Sequence, residues 1–157
     1  QKPHPYILVA GGSRKIMRVA AKWSDDWNYF GLPSEIASKN KELDDMCKEI
    51  GRDPATLHRS RQIKICKTDH PEKEKAFIER QGTILPTMFQ RLGPIAERDG
   101  VESMVRDYHL VDTVSQVKEK NEQWKESGVT HLSFPLPRPV NVPLLEQFAA
   151  EFMPLFA

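Results

Sequence analysis

The order of apolar and polar positions along the chain switches repeatedly between a strand period and a helix period. Residues 6–10 form a short, nearly continuous apolar run between Pro5 and Gly11, the pattern of a buried parallel strand. After Gly11-Gly12-Ser13, the segment 14–23 carries Ile16, Val19, Ala20 and Trp23 at helical spacing, which defines one apolar face. Residues 27–30, Trp-Asn-Tyr-Phe, read as a second strand, closed by Gly31-Leu32-Pro33. Ser34 is the expected N-cap of a helix with Leu43, Met46, Cys47 and Ile50 on one side, ended by Gly51. Asp53-Pro54 suits a cap and first turn. Residues 61–67 alternate, with Ile63 and Ile65 on one face, and predict a third strand.

Asp69 or His70 with Pro71 then opens a charged helix. Residues 81–110 hold Pro86, Gly93-Pro94 and Gly100 among short helical patches, which suggests an insertion of small helices or a mobile lid. Asp112 is the expected N-cap of a helix whose Val114, Val117, Asn121 and Trp124 share a face and which stops at Gly128. Residues 129–134 predict a fourth strand, and residues 135–139 a stiff proline-rich exit. The last helix, from Pro143, repeats Leu144, Leu145, Phe148, Phe152 and Met153 as a core-facing stripe.

Short strands alternating with longer helices mean βα units and a parallel sheet. Two closures compete: a small doubly wound sheet, or part of a (β/α)8 barrel. Whole barrels need about 250 residues, so four βα units in 157 residues make about half of one, with an insertion.

Charge narrows the function classes. The 23 basic and 22 acidic residues are interspersed, with a net charge of +1 and no basic stripe of the kind nucleic-acid binders carry. No apolar run approaches the roughly 20 residues of a membrane span, and the N-terminus lacks a signal-peptide layout. Cys47 and Cys66 are too far apart for a CxxC pair and read as buried thiols of a reducing cytoplasm. His4, His58, His70, His109 and His131 show no metal-ligand spacing, so no metal is expected. Gln1 is not an initiator methionine and a strand follows almost at once, which is compatible with a fragment boundary.

In parallel α/β proteins, reactive groups gather at the C-terminal ends of the strands. The first end presents Gly11, Gly12, Ser13 and Arg14. Glycines allow close backbone approach, and a helix N-terminus with a hydroxyl and a guanidinium nearby favours an anion such as phosphate. A plain tight turn accounts for the same residues. The second end presents Trp27, Asn28, Tyr29 and Phe30, suited to a planar cofactor or to core filling. The third end offers Lys67, Thr68 and Asp69, the fourth Pro135 and Arg138. No Ser-His-Asp set, carboxylate pair or other catalytic constellation is identifiable, so catalytic residues are left unassigned.

The stretch QKPHPYILVAGGSRKIMRVAAKWSDDWN resembles the middle of the bacterial luciferase-like monooxygenases. These are flavin- or deazaflavin-dependent oxidoreductases on a (β/α)8 barrel. GRDPATL resembles a further segment of that family, and SGVTHLSFPLP with LLEQFAAEFMPLF resembles its last strand and closing helix. The chain departs from the family pattern at Ser24 and Asp26, where alanine and glycine are usual, and keeps Asp25.

The resemblance implies the C-terminal half of such a barrel, a (β/α)4 unit with strands five to eight, spanning 1–157 as one domain with 81–110 inserted. It implies that Gly11, Gly12 and Ser13 hold the phosphate side of FMN or a deazaflavin of the coenzyme F-420 type, while Trp27 and Asn28 line the pocket; Arg14 is the candidate auxiliary donor beside them. The family's N-terminal catalytic half has no counterpart, so the isolated chain is expected to be inactive. A half-barrel leaves sheet edges and one sheet face uncovered, which predicts a homo-oligomer, a dimer. The alternatives are a non-catalytic half-barrel that binds a phosphorylated ligand, or a structural or interaction domain.

Overall fold

A computed structural model describes residues 4–66, 70–111, 114–135, 142–151 and 153–156. Its regular elements are β1 (Leu8–Ala10), α1 (Arg14–Trp23), β2 (Asp26–Asn28), α2 (Pro33–Glu49), β3 (His58–Gln62), α3 (Pro71–Met88), α4 (Gly93–Asp99), α5 (Val101–Tyr108), α6 (Val114–Glu126), β4 (His131–Ser133) and α7 (Val142–Glu151). All four strands pair in parallel in the order β1-β2-β3-β4. The expected alternation of strands and helices is present, and two short helices, α4 and α5, lie between α3 and α6.

The chain divides into two compact units, Gln1–Gln62 with Glu122–Ser133, and Ile63–Asn121 with Phe134–Ala157. The first unit holds the whole sheet. Its core is Met17, Ala20, Ala21, Trp27, Leu43, Met46, Cys47 and Leu57, with Val9 and Tyr29 packed against it. The strand register places Val9, Trp27 and Arg59 side by side on this helix-covered face. The opposite face carries Leu8, Ala10, His58, Gln62, His131 and Ser133, all exposed, with half-buried Asn28 and buried Asp26 and Ser60.

Several expected details are corrected. The first strand is shorter than 6–10, and it is an edge strand rather than a buried one: Leu8 is 51% exposed. The α1 face that packs is Met17, Ala20 and Ala21, while Val19 and Trp23 are 49% and 63% exposed. The α2 N-cap is Leu32, whose N–H donates to Glu35 Oε2 at 2.8 Å, and Ser34 lies inside the helix. The third strand is His58–Gln62, not 61–67; beyond it Ile65 makes only an isolated parallel bridge to Leu110. α3 runs past the expected boundary near residue 81, through Pro86, to Met88.

Cys47 is buried as expected, whereas Cys66 is half-exposed; both are free thiols. Met153 is exposed rather than core-facing. Lys67, Thr68, Asp69, Asp112 and Arg138 lie outside the described residues, as do Phe152 and the side chains of Val114, Val117, Leu144 and Phe148.

Other motifs take the roles their chemistry suggests. Asp53 caps the turn Pro54–Thr56 by accepting the Ala55 N–H at 3.0 Å. Arg52 ties that turn to α1, donating to the Ala21 carbonyl at 2.9 Å and so satisfying a carbonyl at the helix C-terminus. Asn121 and Trp124 are buried on α6. No described helix is long and apolar enough to cross a membrane, and no described cluster of His, Cys, Asp and Glu is arranged to hold a metal ion.

Candidate functional site

At the C-terminal end of β1 the chain turns sharply into α1. Gly11 adopts φ +130, a conformation that L side chains rarely take, and its N–H donates to the Asn28 carbonyl at 3.0 Å. Its carbonyl accepts the Trp27 indole N–H at 2.8 Å. Trp27 is 1% exposed, so it reaches this turn from inside the core. Its ring stacks on Tyr29, with centroids 5.4 Å apart and planes 5° from parallel.

Tyr29 explains the second glycine. A Cβ on Gly12 would lie 2.4 Å from Tyr29 Cε2, and one on Gly31 would lie 2.5 Å from Tyr29 Cε1. The phenol ring is therefore flanked by two glycines, and the Gly12 side of the turn is covered by an aromatic of the chain itself.

Ser13 is the N-cap of α1, its Oγ accepting the Ile16 N–H at a long 3.4 Å. The Met17 N–H takes the Ser13 carbonyl at 2.9 Å. The N–H groups of Ser13, Arg14 and Lys15 have no acceptor among the described residues, as befits the first turn of a helix, and all three residues are exposed. Arg14 lies at the same spot, its Nε 3.5 Å from Glu42 Oε1. The Glu42 carboxyl is held below its usual range by the hydrogen bond from Lys39, opposed by desolvation and helped by the charges of Lys39 and Arg14.

Asn28 sits one strand over, donating from Nδ2 to Ser60 Oγ at 3.0 Å on the less covered sheet face. Arg61, at the end of β3, was not singled out from the sequence. It is fully buried, donates from Nε to the Gly31 carbonyl at 2.8 Å, and lies over the rings of Phe30 and Trp124 at 5.2 and 4.2 Å. It thereby pins the turn that holds Tyr29. The sequence places it at the start of the expected strand 61–67, where an arginine looks the same as a solvated one.

The six residues expected at the cofactor site are thus brought together in one unit. Gly11, Gly12, Ser13 and Arg14 form the turn, Trp27 supports it from behind, and Asn28 lies beside it. The donor set fits an anion: exposed backbone N–H groups at the start of a ten-residue helix, with one guanidinium alongside.

By fold and site, this is a parallel α/β chain with an anion-suited helix N-terminus at the carboxyl edge of its sheet. No family model and no curated protein matches its sequence. Solved structures do resemble it. An F420-dependent secondary alcohol dehydrogenase in complex with an F420-acetone adduct matches with a TM-score of 0.74 at 17% identity, over 98% of this chain and 49% of that one. The EDTA monooxygenase from Chelativorans sp. BNC1 matches with a TM-score of 0.74 at 14% identity, over 97% and 44%. The coenzyme F420 dependent tetrahydromethanopterin reductase from Methanopyrus kandleri matches with a TM-score of 0.71 at 13% identity, over 96% and 50%. At these identities the likeness establishes the fold, and the chain spans about half the length of the structures it matches.

Proposed function

We propose that this chain is the C-terminal half of a luciferase-like oxidoreductase barrel, with its four strands standing as strands five to eight, and that it holds the phosphate side of a flavin or deazaflavin. The observation that carries the reading is the exposed, acceptor-free first turn of α1 at the end of β1, in a chain whose fold matches enzymes named for F420. The Ser13, Arg14 and Lys15 N–H groups would bind the phosphate and Arg14 would add charge. Trp27 would position the turn through Gly11, and Asn28 would face the ligand from β2. When bound, such a cofactor supplies hydride-transfer or oxygen chemistry, and the protein supplies placement. The chain alone would bind without turnover.

One observation favours a second reading, a structural domain whose glycine pair is only a turn: Tyr29 accounts for both Gly12 and Gly31 by packing. Titration with FMN and with the deazaflavin, followed by cofactor fluorescence, separates the two. Gly12→Asp is a poor test because any side chain there meets Tyr29. Ser13→Asp is better, since aspartate caps helices as well as serine while its charge repels a phosphate. We expect the wild type to bind at least one cofactor and Ser13→Asp to weaken binding about tenfold or more at unchanged thermal stability. Absence of saturable binding to either cofactor sinks the cofactor reading and leaves the structural one.

A further inference from the structure

We propose that α1 of one copy of the chain docks into the groove between α3 and α5 of a second copy. On α1 only Met17, Ala20 and Ala21 are buried, and the outward side carries two rows. Ile16, Val19 and Trp23 form an exposed apolar row at i, i+3 and i+7, the anchor spacing of a helix that lies in a groove. Lys15, Arg18 and Lys22 run beside it at the same spacing, and all three are exposed. With Arg14 they make four cations on a helix that contains no acid. Among the described residues the acid paired with this row is Glu42, and it meets only its first member, Arg14, at 3.5 Å.

The charge decides what covers this face. Two copies of α1 set against each other would oppose cation to cation, which disfavours a contact between like faces. The partner surface is therefore acidic, with apolar ground between its charges.

The second unit offers such a surface. α3 and α5 border a groove of about 680 Å³, lined by the acids Glu74, Glu79 and Glu102, by Lys75, and by the apolar Ile78 and Val101. Val101 is exposed and Ile78 lies beneath the surface. Glu74 and Glu102 share Arg106. Glu79 has only a long ion pair to Lys75, 4.0 Å between two side chains that are both largely exposed, a pair worth little in water. Glu79 is thus the acid with most to gain from a new cation. In the docked pair, Ile16, Val19 and Trp23 cover Ile78 and Val101, and the row Lys15, Arg18 and Lys22 meets the acidic rim. The contact joins unlike surfaces, and made twice about a two-fold axis it closes a dimer.

The test is light scattering at micromolar concentration on the wild type, on Glu79→Arg with Glu102→Arg, on Arg18→Glu with Lys22→Glu, and on an equal mixture of these two variants. None of the substituted residues belongs to the cradle at the start of α1. We expect each variant alone to associate about tenfold more weakly than the wild type, and the mixture to recover, because each variant then supplies the surface that suits the other. Sodium chloride should weaken the wild-type contact. Glu79→Arg alone serves as a second groove variant, since it leaves Glu102 and Arg106 in place and keeps the fold even if the double variant does not. Groove variants that associate like the wild type overturn the proposal and move the contact to the β1 edge. A mixture no better than its components, or a wild type that stays monomeric, overturns it equally.

Discussion

Tyr29 and its two glycines show how a single side chain fixes the identity of its neighbours. The Gly-Gly-Ser stretch was readable in the sequence as a turn or as a phosphate cradle, and the glycines alone favour neither. The structure separates them: Gly11 is required by its backbone conformation, whereas Gly12 is required by the Tyr29 ring. Replacing Gly12 by alanine should therefore destabilise the chain by about 1–3 kcal/mol, the usual range for overpacking. In a Tyr29→Ala background the same replacement should cost far less, giving a coupling of about 0.5–3 kcal/mol in a denaturant-melt cycle. Equal costs in both backgrounds would remove Tyr29 as the cause. Arg61 was illegible for a different reason. A buried arginine that donates to one carbonyl and lies over two aromatic rings reads in sequence like any surface arginine, because its partners Gly31, Phe30 and Trp124 come from distant segments.

At the scale of elements, order was legible and edges were not. The four strands and their helices were foreseen because apolar periodicity changes with each one. The third strand was misplaced because its buried residues, Arg59, Ser60 and Arg61, are polar and carry no apolar alternation. The apolar run after it drew the boundary towards Ile63 and Ile65. On α1 the expected stripe and the observed one differ by a residue, since Met17 packs and Ile16 does not. On α3, Gly82 poses a choice between propensity and packing. Alanine is the better helix former by about 1 kcal/mol, but a Cβ there would lie 2.2 Å from Val101 Cγ1 on α5. That contact is far inside van der Waals distance and involves a short branched side chain on the neighbouring helix, so packing should win. Gly82→Ala is expected to lower the thermal midpoint, and a rise would show that α5 moves aside freely.

At the scale of the whole molecule, large apolar side chains remain exposed to solvent. Along α1, Ile16, Val19 and Trp23 are exposed, and Tyr6, Ile7 and Leu8 are exposed on and before the edge strand β1. Parallel sheets are ordinarily covered on both faces, and an open edge invites pairing. The polar face bearing His58, His131 and Ser133 suits an interior that faces ligand or a second layer of side chains better than it suits a tight apolar core. Self-association through β1 and α1 would bury the edge strand and Trp23 together. Light scattering at micromolar concentration should then give a dimer, and Trp23→Glu should shift it towards monomer by placing a charge in the contact. Of the three tryptophans, Trp27 and Trp124 are buried and Trp23 is 63% exposed. A blue shift of emission on concentration, absent in Trp23→Phe, would therefore report this contact directly. A wild-type chain that stays monomeric across that range removes self-association as the cover for β1 and α1, while the cradle at the start of α1 stands on its own test.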